Sequence, residues 1–165
     1  MKKSIDSILK RNKRIRSFLN LNEMDDILIL FTYGDWDKVS LITADLERKG
    51  KNVILWTIES SKNKIAGQTL PEKVRVISRK ESSSLKGYNN LNKDFGNLQY
   101  DTLIDLTTED NIVLMSLLAE NKSKFCIGIK EHNYRLYDFV LLKDESMDLT
   151  ETYKQLTSYL DNVTT

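Results

Sequence analysis

Ile27-Leu28-Ile29-Leu30-Phe31-Thr32-Tyr33 is a continuous apolar run of strand length, entered through Asp25-Asp26 and left through Gly34-Asp35. It is too short for a helix. A run of this kind suits a strand covered on both faces, as in a parallel sheet. Residues 36–49 then show helical spacing through Val39, Ile42 and Leu46, and Gly50 is a natural stop. Residues 53–58 (VILWTI) read as the next strand. Strand, helix, strand is the βαβ unit, which demands parallel pairing through a crossover.

Further along, the same alternation returns. Residues 74–78 (VRVIS), 102–106 (TLIDL), 124–129 (KFCIGI) and 139–142 (FVLL) read as four more strands. Residues 109–121 contain IVLMSLLA, apolar almost all round, and predict a deeply buried helix. Thr107 or Thr108 is its expected cap, with Glu109 and Asp110 in its first turn. Asp148 with Glu151 makes a capping-box-like start for a closing helix that buries Tyr153, Leu156 and Leu160. Residues 59–73 read as a loop, and residues 79–99 fit either a short helix or an ordered loop. The fold class is therefore α/β: a three-layer Rossmann-like sandwich with a mainly parallel sheet of five to six strands.

The chain has 165 residues, 40% of them hydrophobic and 30% charged, which fits one domain that needs no disulfide or metal to hold its core. Net charge is +1, but seven Lys/Arg against Asp6 alone fall in residues 1–16, and the rest is net acidic. Residues 2–19 read as an amphipathic helix with Ile5, Ile8, Leu9, Ile15 and Leu19 on its apolar side. Lys10, Arg11, Lys13, Arg14 and Arg16 form its basic surface, and the commonest arrangement for such a helix packs the apolar stripe on the domain and leaves the charges in water. The expected organisation is this basic helix in 1–22 and a single α/β domain over 23–165. One cysteine, Cys126, excludes an internal disulfide framework and favours a reducing compartment. No signal-peptide run or membrane-spanning run is present, so a cytoplasmic location is expected.

In an open α/β sheet, ligands bind beyond the strand ends where the strand order reverses. With an order of 3-2-1-4-5, that point collects Tyr33, Gly34, Asp35 and Trp36 from one loop and Asp105, Thr107 and Thr108 from the other. Asp35, Asp37 and Asp105 could converge there on a cation or act as a base, although solvated helix caps are the favoured reading, Asp35 and Thr108 being normal caps. The loop after the first run has one glycine, two aromatics and two carboxylates, which would crowd and repel a phosphate. Neither GxGxxG nor GxxxxGK[ST] occurs, so a nucleotide cofactor is disfavoured. With a single histidine, His132, and a single cysteine, no zinc motif forms. His132 reads as part of a solvated loop and Cys126 as an inert core residue.

Tyr100-Asp101-Thr102-Leu103-Ile104-Asp105-Leu106, the apolar helix through Ala119, Lys124-Phe125-Cys126-Ile127-Gly128 and Tyr137-Asp138 resemble a family of small bacterial proteins of unknown function. The resemblance spans nearly the whole chain and implies no activity. Residues 27–129 also resemble the N-terminal lobe of heptosyltransferase-type glycosyltransferases, whose "GD" turn carries a catalytic aspartate; Gly34-Asp35 falls at that turn. That resemblance implies a sugar-related acceptor lobe. The 165 residues leave no room for the second, nucleotide-binding lobe, so no sugar transfer by this lobe alone is expected.

The resulting expectation is a non-catalytic Rossmann-like binding or interaction module, without cofactor or metal, that binds a small ligand or a partner, the partner being another protein or a second copy. One alternative is a sugar- or nucleotide-related enzyme remnant acting at the Asp35/Asp105 crevice. Another is association of the basic N-terminal helix with a membrane surface or nucleic acid. Nucleic acid is disfavoured because no basic patch continues into the acidic body, and Arg11 and Arg16 interrupt the apolar stripe a membrane would need.

Overall fold

The structure, a computed structural model, describes residues 2–60 and 69–162. Its strands are β1 (Asp26–Thr32), β2 (Asn52–Ile58), β3 (Val74–Ile77), β4 (Thr102–Asp105), β5 (Phe125–Gly128) and β6 (Phe139–Val140). They form one sheet in the order β3-β2-β1-β4-β5-β6, and every neighbouring pair is parallel. The helices are α1 (Lys2–Arg11), α2 (Trp36–Arg48), α3 (Arg79–Ser83), α4 (Leu85–Gly96), α5 (Ile112–Ala119) and α6 (Leu149–Asn162).

Strand β1 shows why the layers form. Successive side chains leave a strand on opposite faces. Ile27, Ile29 and Phe31 pack with Val39, Ile42 and Leu46 of α2 and with Leu149, Tyr153, Leu156 and Leu160 of α6. Leu28 and Leu30 pack on the other face with Ile5 and Ile8 of α1, Leu91 and Phe95 of α4, and Val113, Leu114 and Leu117 of α5. A continuous apolar run is thus the pattern that a strand between two helix layers requires. Gly50 ends the α2 connection at φ +82°, a conformation that L side chains rarely adopt. The Tyr153 hydroxyl donates to Asp45 Oδ2 at 2.7 Å and ties α6 to α2.

Four local readings are corrected. The N-terminal helix stops at Arg11 rather than continuing to residue 19. Asn12 turns its Nδ2 onto the Ala119 and Asn121 carbonyls at 2.9 and 2.8 Å, and the chain leaves the helix toward β5. There Ser17 N–H donates to the Lys124 carbonyl and Phe18 packs on Phe125 with ring centroids 4.7 Å apart. Second, Arg14 does not belong to the basic surface: its side chain is 7% exposed, 2.7 Å from Asp138 Oδ1. Third, α5 is capped by Asn111, whose Oδ1 accepts from Val113 and Leu114 N–H, so Glu109 and Asp110 lie outside the helix. Fourth, β6 is ladder-paired over Phe139–Val140, not over 139–142. Residues 79–99 resolve into α3 and α4, divided at Ser84.

Candidate functional site

The strand order reverses between β1 and β4, which run side by side with Leu30 opposite Asp105. The loops that leave them are stitched together. Thr32 Oγ1 accepts from Thr108 N–H at 3.1 Å and lies 3.4 Å from Thr108 Oγ1. The crevice that remains is about 70 Å³ and is bordered by Tyr33, Thr107, Glu109 and Asp110 among others. Small-molecule sites commonly run from ~300 to ~1,000 Å³, so this space suits a few waters and not a nucleotide.

The expected crevice residues do not gather in one cleft. Tyr33 and Thr107 border it. Gly34 lies in a short 3-10 turn, and Asp35 at its end makes no side-chain cap to α2. Trp36 turns inward onto Phe31, with ring centroids 5.7 Å apart. Burial, then the neighbouring Asp37 and Glu109 charges, push the Asp35 carboxyl above its ordinary value, against the pull of Lys143.

Asp105 faces the other way, toward the segment after β5. It is fully buried. Its Oδ1 accepts from Thr107 N–H at 3.0 Å and from Thr107 Oγ1 at 2.6 Å. Its Oδ2 accepts from Tyr137 Oη at 2.6 Å and from Lys130 Nζ at 3.3 Å. Lys130 also donates to the Thr107 carbonyl at 3.0 Å and to the Thr107 hydroxyl. A buried carboxylate is tolerable when paired and hydrogen-bonded in this way. Burial, then the Asp105 charge, push the Tyr137 phenol above its ordinary value, so it remains a donor. Its ring lies against Gly128, where an added Cβ would meet Tyr137 carbons at 2.5–2.6 Å. Gly128 is therefore what lets Tyr137 reach Asp105.

This network holds the 129–138 crossover, which joins parallel β5 to β6 without a helix. Such a crossover usually needs a helix to cover the sheet. Here buried Leu136 anchors the middle, and Asp138 anchors the end by accepting from Cys126 N–H at 2.9 Å and from Arg14. His132 is drawn inward too, correcting the solvated-loop reading: its side chain is 6% exposed. Its Nδ1 accepts from Tyr134 N–H at 3.2 Å, and its ring stacks on Tyr134. Its Nε2 lies 3.4 Å from Asp110 Oδ2, in a geometry that makes no hydrogen bond.

Outside this crossover lies a groove of about 680 Å³, walled by Arg16, Asp110, Glu131, Arg135 and the exposed Val140 and Leu142, among others. Tyr137 and His132 contribute to its floor. Of the five residues of the expected basic surface, Lys10, Arg11 and Lys13 are exposed, Arg14 is buried, and Arg16 stands at this groove. Among the described residues, no group of three or more His, Cys, Asp or Glu is placed to hold a metal ion. No helix among them is long and apolar enough to cross a membrane.

The pattern of DUF6913, a family of unknown function, covers residues 1–163. The chain belongs to this family. No curated protein matches the chain, and none therefore supports the glycosyltransferase likeness. For this DUF6913 member the sequence did not single out Lys130 and Tyr137, which contact Asp105, or Arg135, which lines the groove. The quoted Tyr137-Asp138 pair is the part of the crossover that the sequence did bring into view.

Proposed function

We propose that this chain is a non-catalytic binding module whose ligand occupies the groove beside the 129–138 crossover rather than the switch-point crevice. The observation that carries this reading is the contrast in space at the C-terminal end of the sheet: about 680 Å³ in the groove against about 70 Å³ in the crevice. The groove wall is also preorganised. Asp105, Asp138 and Leu136 fix its backbone from beneath, so ordering it costs a ligand little. The reactive-looking groups are committed to that task. Tyr137 and Lys130 are both spent on Asp105, which favours holding over turnover. A cytoplasmic location belongs to the same reading, supported by a single cysteine that is buried.

The experiment is an amide chemical-shift titration of the full chain with AMP, UDP-glucose and malate. Expected are perturbations confined to residues 131–137 and 140–142. Perturbations centred on 32–36 and 107–111 would instead restore the crevice. Release of a product from UDP-glucose would overturn the non-catalytic assignment.

A further inference from the structure

The two ends of the groove differ in charge. Asp110 borders both the groove and the small switch-point crevice, so the acidic side faces β4 and α5. Arg16, Arg135 and Leu136 instead recur in a small hollow under α1, lined also by Leu9, Asn12 and Arg14 and by no acid. Glu131 is the groove's other carboxylate. The arginines at this end have spare donors. Asp138 is already taken: Oδ1 by Arg14 at 2.7 Å and Oδ2 by Cys126 N–H. Arg16 approaches it only to 3.6 Å, and its side chain is 62% exposed. Arg135 is exposed and has no hydrogen bond or ion pair among the described residues. A guanidinium carries five donors in a planar fork matched to carboxylate and phosphate oxygens. Val140, on the edge strand β6, and Leu142 line the same groove and are apolar and exposed.

Resting on the groove as the binding site, we infer that Arg16 and Arg135 form an anion subsite, and that the ligand is a small molecule bearing a carboxylate or phosphate on a compact apolar body. The anion lies between the two guanidinium groups, and the body covers Val140 and Leu142. Asp138 keeps Arg14 and the Cys126 N–H as partners when either arginine is replaced.

Three probes of one shape separate the parts of this inference: phenyl phosphate, benzoate and neutral benzyl alcohol, titrated by amide chemical shift into the wild type, Arg16→Gln and Arg135→Gln. Both anions are expected to perturb 133–136 and 140–142 more strongly than the alcohol does. Each substitution is expected to weaken them about tenfold, the scale of one charged hydrogen bond, and to leave the alcohol unchanged. Rising salt is expected to weaken the anions alone. The stronger of the two anions identifies the ligand's acidic group. Anions that bind the groove no better than benzyl alcohol, or that ignore both substitutions, overturn the subsite while the groove stands. If no probe, the alcohol included, perturbs the groove, both readings fall.

Discussion

Asp105 is a charge placed where water cannot reach it, and three neighbours make it tolerable: Thr107, Lys130 and Tyr137. The Tyr137 bond is the shortest link between β4 and the crossover, so its removal tests the network with the least disturbance. Tyr137→Phe keeps the ring against Gly128 and deletes one donor to a buried charge. The expected loss is about 1–3 kcal/mol in urea unfolding. An unchanged midpoint would mean that Lys130 and Thr107 suffice. At this scale the sequence was only partly legible. Asp105 stood out as a polar residue ending an apolar strand. Tyr137 did not, because its partner is 32 positions away. Arg14 was misread for the same reason, and His132 because the folding of its own loop is not written in its polar neighbours. Arg14 is buried by its contact with Asp138, His132 by the fold of its loop onto Tyr134.

Among the elements, α3 and α4 were the least legible, and Gly87 explains why. A glycine in a polar stretch argues against a helix, since alanine is the better former by roughly 1 kcal/mol. Yet a Cβ at Gly87 would lie 2.8 Å from the Glu81 Cα and carbonyl oxygen. The glycine marks where the two helices meet closely. Gly87→Ala is therefore expected to lower the thermal midpoint, although propensity alone predicts a rise; a higher midpoint would show that the junction opens freely. Glu81, at the same junction, closes the α3 cap with Ser78 and pairs with Arg75 at 2.5 Å. The Arg75 hydrogen bond leads the causes that hold its carboxyl down, from an ordinary 4.5 to about 2. A depressed carboxyl stabilises the fold when ionised. That contribution is complete above about pH 4.5, where the unfolded chain is ionised too, and is lost as the pH falls toward 2. Glu81→Gln should flatten part of the fall in thermal midpoint across that window, and an acid limb identical to wild type would remove Glu81 from it. By contrast α2 and α6 were readable in full, because each carries an apolar stripe and a local stop or start signal, Gly50 or Asp148.

The whole molecule follows from one rule applied to several strands: an apolar run without alternation needs helices on both sides. β1, β4 and β5 obey it, and their parallel direction was legible from the alternation of such runs with helices, whereas their order was assumed and is the one the structure has. What lies over the sheet's second face was less so, because a basic amphipathic helix that packs its apolar stripe on the domain reads much like one that binds a membrane or a nucleic acid. Its apolar residues separate these readings in energetic terms. Ile5 is fully buried and Ile8 nearly so, in one cluster with Leu28, Leu30, Leu114 and Leu117. Truncating a buried isoleucine to alanine costs about 2–5 kcal/mol, and a domain of this size holds only about 5–15 in total. Ile5→Ala should therefore lower the urea midpoint strongly, with a single cooperative transition retained. Deleting residues 2–11 should abolish that transition, since α5 and the Asn12 contacts to its last carbonyls would lose their cover. Circular dichroism of both variants decides the matter. A deletion that still unfolds cooperatively at the wild-type midpoint would make α1 a detachable arm, free to bind a membrane or a nucleic acid. An unfolded deletion makes it the third helix of the layer, and leaves Lys10, Arg11 and Lys13 as the solvated face of a structural helix.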